Sequence, residues 1–460
     1  MKSGKCAIFW FRRDLRLFDN RALSVALQRY DCVIPIFIFD KSILSKLDAI
    51  DRRVSFICDL IVDLERQMGE YSSKLTIFYG NPLDVFKEIC SKIEIDAIFY
   101  NKDYEPSTIL RDSQISSYII SNNIIVESYK DHLIFEEREI VKADGTPYSV
   151  YTPYSKRWLE LFKGDESEYL KEYTSHKFLN RLANRSFLDR ILSNIEPSLV
   201  LSISGKIERQ MGFEPVNIDY STIPKVKSGE PVLDLDLLSR YDTLRDFPAK
   251  NGCTNIGIHL RFGSVSIRKC VKIALKTNFI WLKEFIWREF FSCVLYNYPY
   301  VELKPFKDRY QFIEWDNNYD LLEKWCSGTT GIPFVDAGMR ELNTTGHMHN
   351  RVRMVCASFL TKNLLIDWRV GESYFASKLF DFDLASNNGN WQWAAGCGCD
   401  AAPYFRVFNP YLQAKKFDNN MLYIKRWIPE IDDYGKSILP CVDIDASRKE
   451  AIIRYKTALS

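Results

Sequence analysis

Residues 346–410 read GHMHNRVRMVCASFLTKNLLIDWRVGESYFASKLFDFDLASNNGNWQWAAGCGCDAAPYFRVFNP. This stretch combines three tryptophans, Trp368, Trp391 and Trp393, with several arginines, aspartates and asparagines. Surface loops rarely hold that much tryptophan, and simple cores rarely hold that much charge. The mixture predicts a pocket for a large, flat, polar ligand, with few apolar walls and several placed polar groups.

The overall composition sets broad limits on the function. A chain of 460 residues is long enough for more than one domain and for a large core. The formal net charge is only +2, so any surface that binds nucleic acid has to be local. The twelve cysteines show no CxxC pair and no Cys/His cluster with zinc spacing. This pattern favours free thiols in a reducing cytosol over a disulfide framework or a metal site.

The first residues of the chain, MKSGKCAIFWFRRDLR, contain no apolar segment of the kind found in signal peptides. No apolar run in the chain approaches the length needed to span a membrane. We therefore expect a soluble, cytoplasmic protein that makes no membrane contact.

Short apolar segments alternate with longer helical patterns in residues 1–130. The predicted strands are residues 6–11, 33–39, 75–79, 97–100 and 124–127, and the predicted helices are residues 21–30, 52–68, 82–91 and 107–121. This alternation predicts an α/β domain with a parallel, doubly wound, Rossmann-like sheet. No GxGxxG motif follows the first strand, so the dinucleotide-binding fingerprint is absent from the sequence.

The first predicted strand ends in FRRDLRLFDN, residues 11–20, which contains Arg12, Arg13 and Arg16. One interpretation is a solvated loop at the carboxyl edge of the sheet. The other is a ligand site, because open α/β sheets usually bind their ligands at that edge. The sequence leaves both interpretations open.

The remainder of the chain divides into a connector and a helical domain. Periodicity weakens in residues 131–232, where DGTPYSVYTPYSKRW, residues 144–158, combines turn residues with aromatic residues. Residues 233–460 show mainly helical patterns. Within them, residues 252–263, GCTNIGIHLRFG, predict a small-residue turn that enters a helix, which is either a phosphate site or an ordinary loop-to-helix junction.

Two helical segments place unusual residues on one face. Glu284, Trp287 and Arg288 lie at positions i, i+3 and i+4 of a segment whose residues 281–291 read WLKEFIWREFF, and Asn350, Arg353 and Met354 repeat that spacing. One interpretation is an apolar core stripe with charges that extend to solvent. Because the pattern occurs twice, we favour two helices that line opposite walls of a cavity. In a helix Trp391 and Trp393 would point about 200° apart, towards different compartments.

These motifs together resemble the photolyase/cryptochrome family. The matching segments appear in the family's order and include FWFRRDLRLFDN, YDTLRDFP, WREFF, TGIPFVDAGMR, MHNRVRM, LLIDW and WIPEI. The resemblance implies an α/β antenna domain in residues 1–130, an interdomain connector in residues 131–232, and an all-helical FAD-binding catalytic domain in residues 233–460.

Within the family, the sequence is most similar to class I cyclobutane pyrimidine dimer (CPD) photolyases. Met354 matches the CPD enzymes, and Asn350 lies where (6-4) photolyases carry a second histidine. Glu284 matches the carboxylate that contacts the substrate, and Asn387 matches the amide expected to face the flavin N5 atom. The sequence ends at Ser460, so we expect no long signalling tail.

The resemblance also implies a set of site residues. The catalytic residues would be Glu284, Asn387 and Met354. The FAD contacts would come from Tyr241, Cys253, Thr254, Asn255, Ile256, Gly257, Arg288, Asn350, Arg353, Asp381, Phe382, Asp383 and Asn387, with Arg353 and Asp381 paired. The DNA contacts would come from Arg245, Glu284, Trp287, Asn350, Arg351, Met354, Trp393 and Arg406, with Lys415 and Lys416 as further phosphate contacts.

Three positions implied to carry electrons, Trp391, Trp368 and Trp315, match the family's tryptophan chain. The sequence departs from the family pattern at Cys253 and Gly257, which replace hydroxyl residues, and at His347, where many relatives have tryptophan. We expect FAD binding despite the first departure, because backbone N–H groups can still meet phosphate.

The implied enzyme is a deoxyribodipyrimidine photo-lyase, a carbon–carbon lyase acting on ultraviolet-damaged single- or double-stranded DNA. It would repair dimers by electron transfer from excited FADH⁻ to a flipped-out dimer, as a monomer and without a metal. The alternative is a cryptochrome-type blue-light receptor without repair activity. A third hypothesis, a flavin oxidoreductase that works in the dark, lacks support because the sequence contains no nicotinamide-binding fingerprint. A second, antenna chromophore remains open between 8-hydroxydeazaflavin, a flavin and folate. Ser107 and Thr108 replace the Asn-Glu pair expected for folate.

Overall fold

The short β-branched and aromatic runs near the N-terminus form one sheet in the computed structural model, which describes residues 5–221, 223–224, 226–227 and 230–460. In the described residues this sheet has six strands in the order β5-β4-β1-β2-β3-β6. The strands are β1 (Cys6–Phe11), β2 (Cys32–Asp40), β3 (Thr76–Gly80), β4 (Ala97–Asn101), β5 (Ile125–Tyr129) and β6 (Val200–Leu201). β1 to β5 are parallel, and β6 pairs antiparallel with β3. A separate antiparallel pair is formed by β7 (Val226–Lys227) and β8 (Glu230–Pro231).

Helices make up most of the remaining structure. The first group is α1 (Arg21–Arg29), α2 (Lys41–Leu44), α3 (Arg52–Gly69), α4 (Pro82–Lys92), α5 (Pro106–Ser121), α6 (Tyr151–Gly164), α7 (Glu166–Tyr169), α8 (Arg185–Leu192) and α9 (Ile207–Gln210). The second group is α10 (Leu235–Ser239), α11 (Tyr241–Leu244), α12 (Gly257–Phe262), α13 (Ile267–Thr277), α14 (Phe279–Asn297), α15 (Tyr319–Ser327), α16 (Pro333–Thr345), α17 (Asn350–Ser358), α18 (Trp368–Lys378), α19 (Leu384–Ala395), α20 (Pro410–Phe417), α21 (Leu422–Trp427), α22 (Ile431–Ser437) and α23 (Ile444–Leu459).

The chain folds into two units, each assembled from more than one segment. Unit 1 contains Met1–Glu136, Phe162–Leu233 and Asn255–Ile273, and unit 2 contains Glu137–Leu161, Asp234–Thr254 and Ala274–Ser460. The predicted connector, residues 131–232, contributes to both units, and its residues 222, 225, 228 and 229 lie outside the described residues.

The sheet of unit 1 is buried because helices cover it. β1 is buried along its whole length, as expected for a central parallel strand. Side-chain caps fix where the helices begin: Asn20 accepts the N–H of Leu23 in α1, and Asn81 precedes Pro82, which needs no N–H partner in the first turn of α4. Trp10 of β1 packs edge-to-face on Phe86 of α4, with ring centroids 5.1 Å apart.

Unit 2 is helical around one large apolar cluster. That cluster contains Trp325, Trp368, Trp391 and Tyr455, each no more than 2% exposed. A five-residue π-helix, Phe359–Asn363, follows α17. The predicted fold class, an α/β domain with a mostly parallel sheet plus a helical C-terminal region, is confirmed.

Residues 144–158 combine turn residues with aromatic residues, and no element was predicted for them. The chain is helical from Tyr151 onwards. Pro153 is tolerated there because the first turn of a helix has no intrahelical N–H bonds to lose. Tyr151, Tyr154 and Trp158 follow at helical spacing, and all three are buried.

The segment FRRDLRLFDN is not a solvated loop, so that interpretation is wrong. Arg16 is 2% exposed, and its Nη2 lies 2.5 Å from Asp131 Oδ2. Arg268 lies 2.9 Å from the same Asp131 carboxylate and 3.0 Å from Asp19. Buried charges are stable only when they are paired in this way.

Asp131 is central to this buried network, and its replacement should destabilise the protein. Burial alone would raise the pKa of Asp131, but Arg16 and Arg268 outweigh that effect and hold the pKa well below its usual range. Asp131→Asn removes the carboxylate that pairs with the buried guanidinium groups of Arg16 and Arg268. We expect the free energy of unfolding at pH 7 to fall by about 3–5 kcal/mol, measured by urea unfolding.

The pH dependence gives a second measure of the same effect. A carboxylate with a depressed folded pKa stabilises the protein above its unfolded pKa of about 4, and this stabilisation is lost as the pH falls below that value. Asp131→Asn should remove that part of the acid sensitivity. The control is Asp63→Asn at an exposed pair with Arg66, with an expected change of about 0–1 kcal/mol. Equal effects of the two substitutions would contradict the role given to Asp131.

Candidate active site

In unit 2, helix α19 packs against both α14 and α17, and the three helices present polar and aromatic side chains that are partly exposed. On α14, Glu284, Trp287 and Arg288 are half-buried, whereas Phe285 and Ile286 between them are buried. The predicted shared face of these three residues is therefore present, and it is the face of α14 that water reaches.

α17 shows the same division. Arg353 and Met354 are half-buried and Asn350 is exposed, whereas Val352 and Val355 are buried. His349 precedes the helix, and its Nδ1 accepts the N–H of Arg351 at 3.1 Å, which satisfies one free donor of the first turn. Burial, reinforced by His347, lowers the pKa of His349 to about 4, so this ring is neutral at pH 7.

α19 separates its two tryptophans as the helical spacing predicts. Trp391 is 2% exposed and packs in the apolar cluster, while Trp393 is half-buried and lies 6.4 Å from Phe408 between ring centroids. Asp383 caps the helix by accepting the N–H of Ser386 at 3.1 Å. Asp383 therefore has a structural role in addition to its expected ligand contact.

Arg353 and Asp381 form the expected ion pair. Arg353 Nη2 lies 3.1 and 3.0 Å from the two carboxylate oxygens of Asp381, and Arg353 Nε donates to the Met348 carbonyl oxygen at 2.7 Å. Burial would raise the pKa of Asp381, but Arg353 and then His347 lower it, and the net shift is downward. The pair thus remains charged beside the partly exposed face of α17.

Asn387 has a partner that sequence reasoning missed. Its Nδ2 donates to the Glu372 carboxylate at 2.8 Å and to the Glu372 carbonyl oxygen at 3.1 Å. This fixes the amide orientation, because the NH₂ group is engaged and the oxygen points elsewhere. Burial raises the pKa of Glu372, and the bond from Asn387 opposes part of that rise. Sequence spacing gave no sign of this contact between α18 and α19.

Two arginines expected to meet phosphate are paired with acids. Arg245 bonds to the Glu284 carboxylate, and Arg351 Nη2 lies 2.5 Å from Asp246 Oδ1. Burial raises the pKa of Glu284, and Arg245 counteracts part of that rise. Any anion that approaches Arg245 must therefore compete with Glu284. Arg406 is exposed, as are Lys415 and Lys416.

Trp287 carries an aromatic neighbour that the sequence did not reveal. The Tyr151 ring lies parallel to it, with centroids 3.5 Å apart and planes 4° apart. The YTPYSKRW run contains the helical spacing of Tyr151, Tyr154 and Trp158, and this periodicity is the signal that could have identified the helix.

The segment 253–257 is divided between the two units. Cys253 and Thr254 belong to unit 2, whereas Asn255, Ile256 and Gly257 belong to unit 1. Asn255 has a φ of 48°, a left-handed conformation that asparagine tolerates, and Gly257 is the exposed first residue of α12. Burial raises the pKa of Cys253 to about 11, so its thiol is protonated.

The remaining expected cofactor residues also have defined positions. Tyr241 is the buried first residue of α11, with the Arg245 guanidinium 5.3 Å from its ring centroid. Phe382 is partly buried against the apolar cluster of unit 2. His347 is half-buried, and burial, reinforced by Arg353, lowers its pKa to about 4.

The three tryptophans of the expected electron chain share one apolar cluster. Trp391 and Trp368 are each 2% exposed, and Trp315 packs on the cluster from a half-buried position. Trp391 lies edge-on to Phe375, with ring centroids 4.9 Å apart. Trp391 and Trp368 are thus buried, and Trp315 is partly accessible.

The carboxyl edge of the sheet in unit 1 is rich in paired charge. Arg12 bonds to Asp112 and lies 4.9 and 4.7 Å from the ring centroids of Trp10 and Tyr100. Arg13 Nη1 lies 2.8 Å from Asp103. Ser107 is exposed and Thr108 is buried on α5. These contacts do not identify an antenna chromophore, which stays undetermined.

The side chains of this region fit FAD on chemical grounds. A flavin with its ribityl and diphosphate groups needs a flat space, hydroxyl acceptors and cationic or amide donors. The partly exposed faces of α14, α17 and α19 carry the guanidinium groups of Arg288 and Arg353 and the indole of Trp393. Arg353 is paired with Asp381, and the amide of Asn387 on α19 is 9% exposed. In the described part of the chain, no group of three or more His, Cys, Asp or Glu side chains could hold a metal ion.

Comparison with known proteins identifies the family of this chain. Residues 7–172 match the family model described as DNA photolyase, and residues 281–457 match the FAD binding domain of DNA photolyase. A curated relative from Synechococcus sp., named deoxyribodipyrimidine photo-lyase, is 34% identical over 443 residues, covering 92% of this chain and 88% of the relative. The chain therefore belongs to the DNA photolyase family.

Solved structures show the same relationship. A class III photolyase from Agrobacterium tumefaciens has a TM-score of 0.81 at 29% identity, covering 100% of this chain and 98% of the other. An archaeal photolyase from Sulfolobus tokodaii, solved with two FAD molecules, has a TM-score of 0.77 at 32% identity, covering 98% and 100%. The predicted family and FAD as cofactor are confirmed, as is the enzyme class, deoxyribodipyrimidine photo-lyase, which the curated relatives share. Among the described residues, no helix is long and apolar enough to cross a membrane.

The position of Trp391 depends on a glycine in the neighbouring helix α18. A methyl carbon added at Gly371 would overlap the Trp391 ring and the Leu360 side chain. Gly371→Ala should therefore displace the indole and destabilise the protein by about 1–3 kcal/mol, measured by urea unfolding.

Gly435→Ala is the matched control for this substitution, because nothing lies within 4 Å of an added methyl carbon there. In helix α22 that change should be neutral or stabilising by up to about 1 kcal/mol. A Gly371→Ala protein as stable as the wild type would contradict the tight contact with Trp391.

Proposed function

We propose that this member of the DNA photolyase family repairs cyclobutane pyrimidine dimers in ultraviolet-damaged DNA, in a light-dependent reaction with FAD as cofactor. The observation that carries the proposal is a set of polar and aromatic side chains on the accessible helix faces of unit 2. There Glu284 and Trp287 of α14, Asn350 and Met354 of α17, and Trp393 of α19 all reach the accessible faces of helices that pack together.

These side chains suit two adjacent, covalently joined pyrimidines of one strand that have left the DNA stack. Extrusion of a nucleotide costs a few kcal/mol, and the cost is smaller for a damaged step. Trp287 and Trp393 offer aromatic faces, and stacking on such a face is worth about 1–3 kcal/mol per base. Asn350 and Met354 supply an amide and a polarizable thioether on helix α17.

Glu284 is suited to hydrogen bonding with the pyrimidine edge. Its carboxyl group is half-buried, and Arg245 holds it in place. In this proposal the phosphate backbone of DNA draws Arg245 and Arg351 away from Glu284 and Asp246, while Arg406 adds an exposed cation. Glu284 is then released to bond with the dimer.

The group that reacts with the dimer is the cofactor. Reduced FAD, held by the residues named below, would supply the light-driven electron transfer that opens the cyclobutane ring. The protein contributes binding, orientation and electrostatics. The residues that would hold FAD are Tyr241, the segment 253–257, Arg288, Asn350, the Arg353–Asp381 pair, Phe382, Asp383 and Asn387. The reaction requires no nucleophile and no metal.

Trp391, Trp368 and Trp315 are proposed to carry electrons inward from the protein surface to oxidised FAD. They share one apolar cluster in which Trp391 and Trp368 are buried and Trp315 is partly buried, and this supports the role. Glu284, Asn350, Met354 and Asn387 also support the class I, CPD-specific assignment, although one structural neighbour is a class III photolyase.

The direct test is light-dependent loss of dimers from ultraviolet-irradiated DNA with the purified, reduced protein. We expect repair in light and none in a dark control. Glu284→Ala should lower repair per absorbed photon about 3- to 10-fold, because a charge-assisted hydrogen bond is worth about 1.5–3 kcal/mol and is only partly lost.

Glu323→Ala, at an exposed glutamate of α15, is the matched control and should leave repair unchanged. No repair by the wild type despite bound, reduced FAD would refute the proposed function and favour a photoreceptor. Normal repair by Glu284→Ala would refute only the role of that carboxylate.

Trp391→Phe should block photoreduction of oxidised FAD by an external reductant, while chemically reduced protein repairs dimers at the wild-type rate. Phenylalanine is much harder to oxidise than tryptophan, and it keeps most of the packing. The measurement is the flavin absorbance during blue illumination. Trp281→Phe, at an equally buried indole, is the control and should photoreduce normally. Photoreduction by Trp391→Phe at the wild-type rate would remove Trp391 from the chain.

A further inference from the structure

Tyr151 covers one face of Trp287 with unusual completeness. The ring centroids are 3.5 Å apart and the planes are within 4° of parallel. Among the described ring contacts, Phe290 approaches Trp287 edge-on at 5.7 Å, and Phe291 lies at 5.5 Å with a 28° tilt. Trp287 nevertheless stays half-buried, so part of the indole outside these contacts reaches solvent.

Tyr151 is itself held at both ends. Its hydroxyl donates to the Lys283 carbonyl oxygen at 3.2 Å, which ties the ring to α14. Its backbone N–H donates to the Asp400 carboxylate at 3.2 Å. Because Tyr151 is the first residue of α6, Asp400 serves as a cap from a distant part of the chain, and a negative charge is favourable at that helix end.

Asp400 belongs to the segment that follows α19 and leads to the exposed Arg406. It has a φ of 49°, which is a strained left-handed conformation for an aspartate and indicates that its surroundings fix it. The contact therefore joins the segment that carries a proposed phosphate-binding arginine to the helix that supports Trp287.

We propose that Tyr151 and Asp400 are positioning residues for damaged DNA: Tyr151 is the fixed backing layer of the Trp287 stacking platform, and Asp400 sets its position. This inference rests on the proposed function, in which Trp287 stacks on an extruded base. A base that stacks on Trp287 would extend a stack already formed by Tyr151 and Trp287.

The physical benefit is that the platform is rigid before DNA arrives. An indole with both faces open would lose side-chain freedom when a base stacks on it, and that loss weakens binding. Parallel contact with Tyr151 restricts the indole in advance. Since Tyr151 makes no contact with the base in this arrangement, it should affect binding of the dimer and leave the chemistry of the bound dimer unchanged.

The experiment compares dissociation constants for an oligonucleotide with one dimer and for the undamaged oligonucleotide, in the dark, with FAD-loaded protein. Tyr151→Leu keeps apolar bulk but removes the flat ring, and we expect about 2- to 10-fold weaker binding of the dimer, the range of an aromatic pair. Binding of undamaged DNA should not change. Tyr151→Phe retains the ring and should bind the dimer within about twofold of the wild type.

A double-substitution cycle separates this inference from the proposed function. If Trp287→Ala binds the dimer as tightly as the wild type, the proposed platform itself is wrong. If Trp287→Ala weakens binding but Tyr151→Leu does not, the inference is overturned while the platform stands. In the Trp287→Ala background, Tyr151→Leu should cause no further loss, because there is no indole left to position.

Two further measurements exclude a general structural effect. At saturating substrate in light, Tyr151→Leu should repair each bound dimer with the wild-type yield; a lower yield, or equal weakening towards undamaged DNA, would overturn the inference. Asp400→Asn leaves both rings in place and removes the capping charge, so about 2- to 3-fold weaker dimer binding is expected. If Tyr151→Leu does not retain FAD, the Asp400→Asn protein provides the test instead. Wild-type affinity of Asp400→Asn for the dimer would then overturn the proposal.

Discussion

A buried carboxylate organises the part of unit 2 that contains the candidate active site. Glu289 is 3% exposed on α14, and it accepts hydrogen bonds from Trp158 Nε1 at 2.6 Å and from the Tyr154 hydroxyl at 3.4 Å. A carboxylate cannot be buried among aromatic rings without such partners, because its desolvation would cost several kcal/mol. The requirement fixes α6 against one side of α14, and it thereby brings Tyr151 onto Trp287 and turns Glu284 and Arg288 towards the accessible side.

The charged residues of the candidate active site already have partners. Arg353 is bound to Asp381, Arg245 to Glu284 and Arg351 to Asp246. Half-buried arginines without anions would be costly in the DNA-free protein, and the pairs avoid that cost. An incoming phosphate or ligand thus exchanges one partner for another, which makes recognition depend on the position of the incoming anion as well as on its charge.

In unit 1, the local sequence pattern was sufficient to predict the strands. The apolar runs at 6–11 and 97–100 are strands because fully buried parallel strands have no polar face to interrupt them. The segment FRRDLRLFDN was ambiguous for the opposite reason: its charges are compatible with solvent until Asp131 and Arg268, more than a hundred residues away, are found beside Arg16 and Asp19.

The same distinction, between local pattern and contacts distant in sequence, applies to the candidate active site. Spacing of three and four residues placed Glu284, Trp287 and Arg288 on one helix face, because helix geometry depends only on neighbours in sequence. Family motifs indicated that Arg353 and Asp381 pair, and the ion pair is present. Neither argument could find Glu372 beside Asn387, or Tyr151 on Trp287, because neither helix periodicity nor motif order determines how two different helices pack.

The sequence by itself therefore determined the alternating α/β region, the helical region, the accessible faces of α14 and α17, and membership of the DNA photolyase family. These features follow from local periodicity and from ordered motifs. Only the tertiary structure decided which charges are paired, which indoles are buried, and that Asp400 caps α6, 249 positions away from it in the chain. Packing sets these contacts, because a buried polar group takes its partner from whatever the fold brings within hydrogen-bonding distance, regardless of separation in sequence.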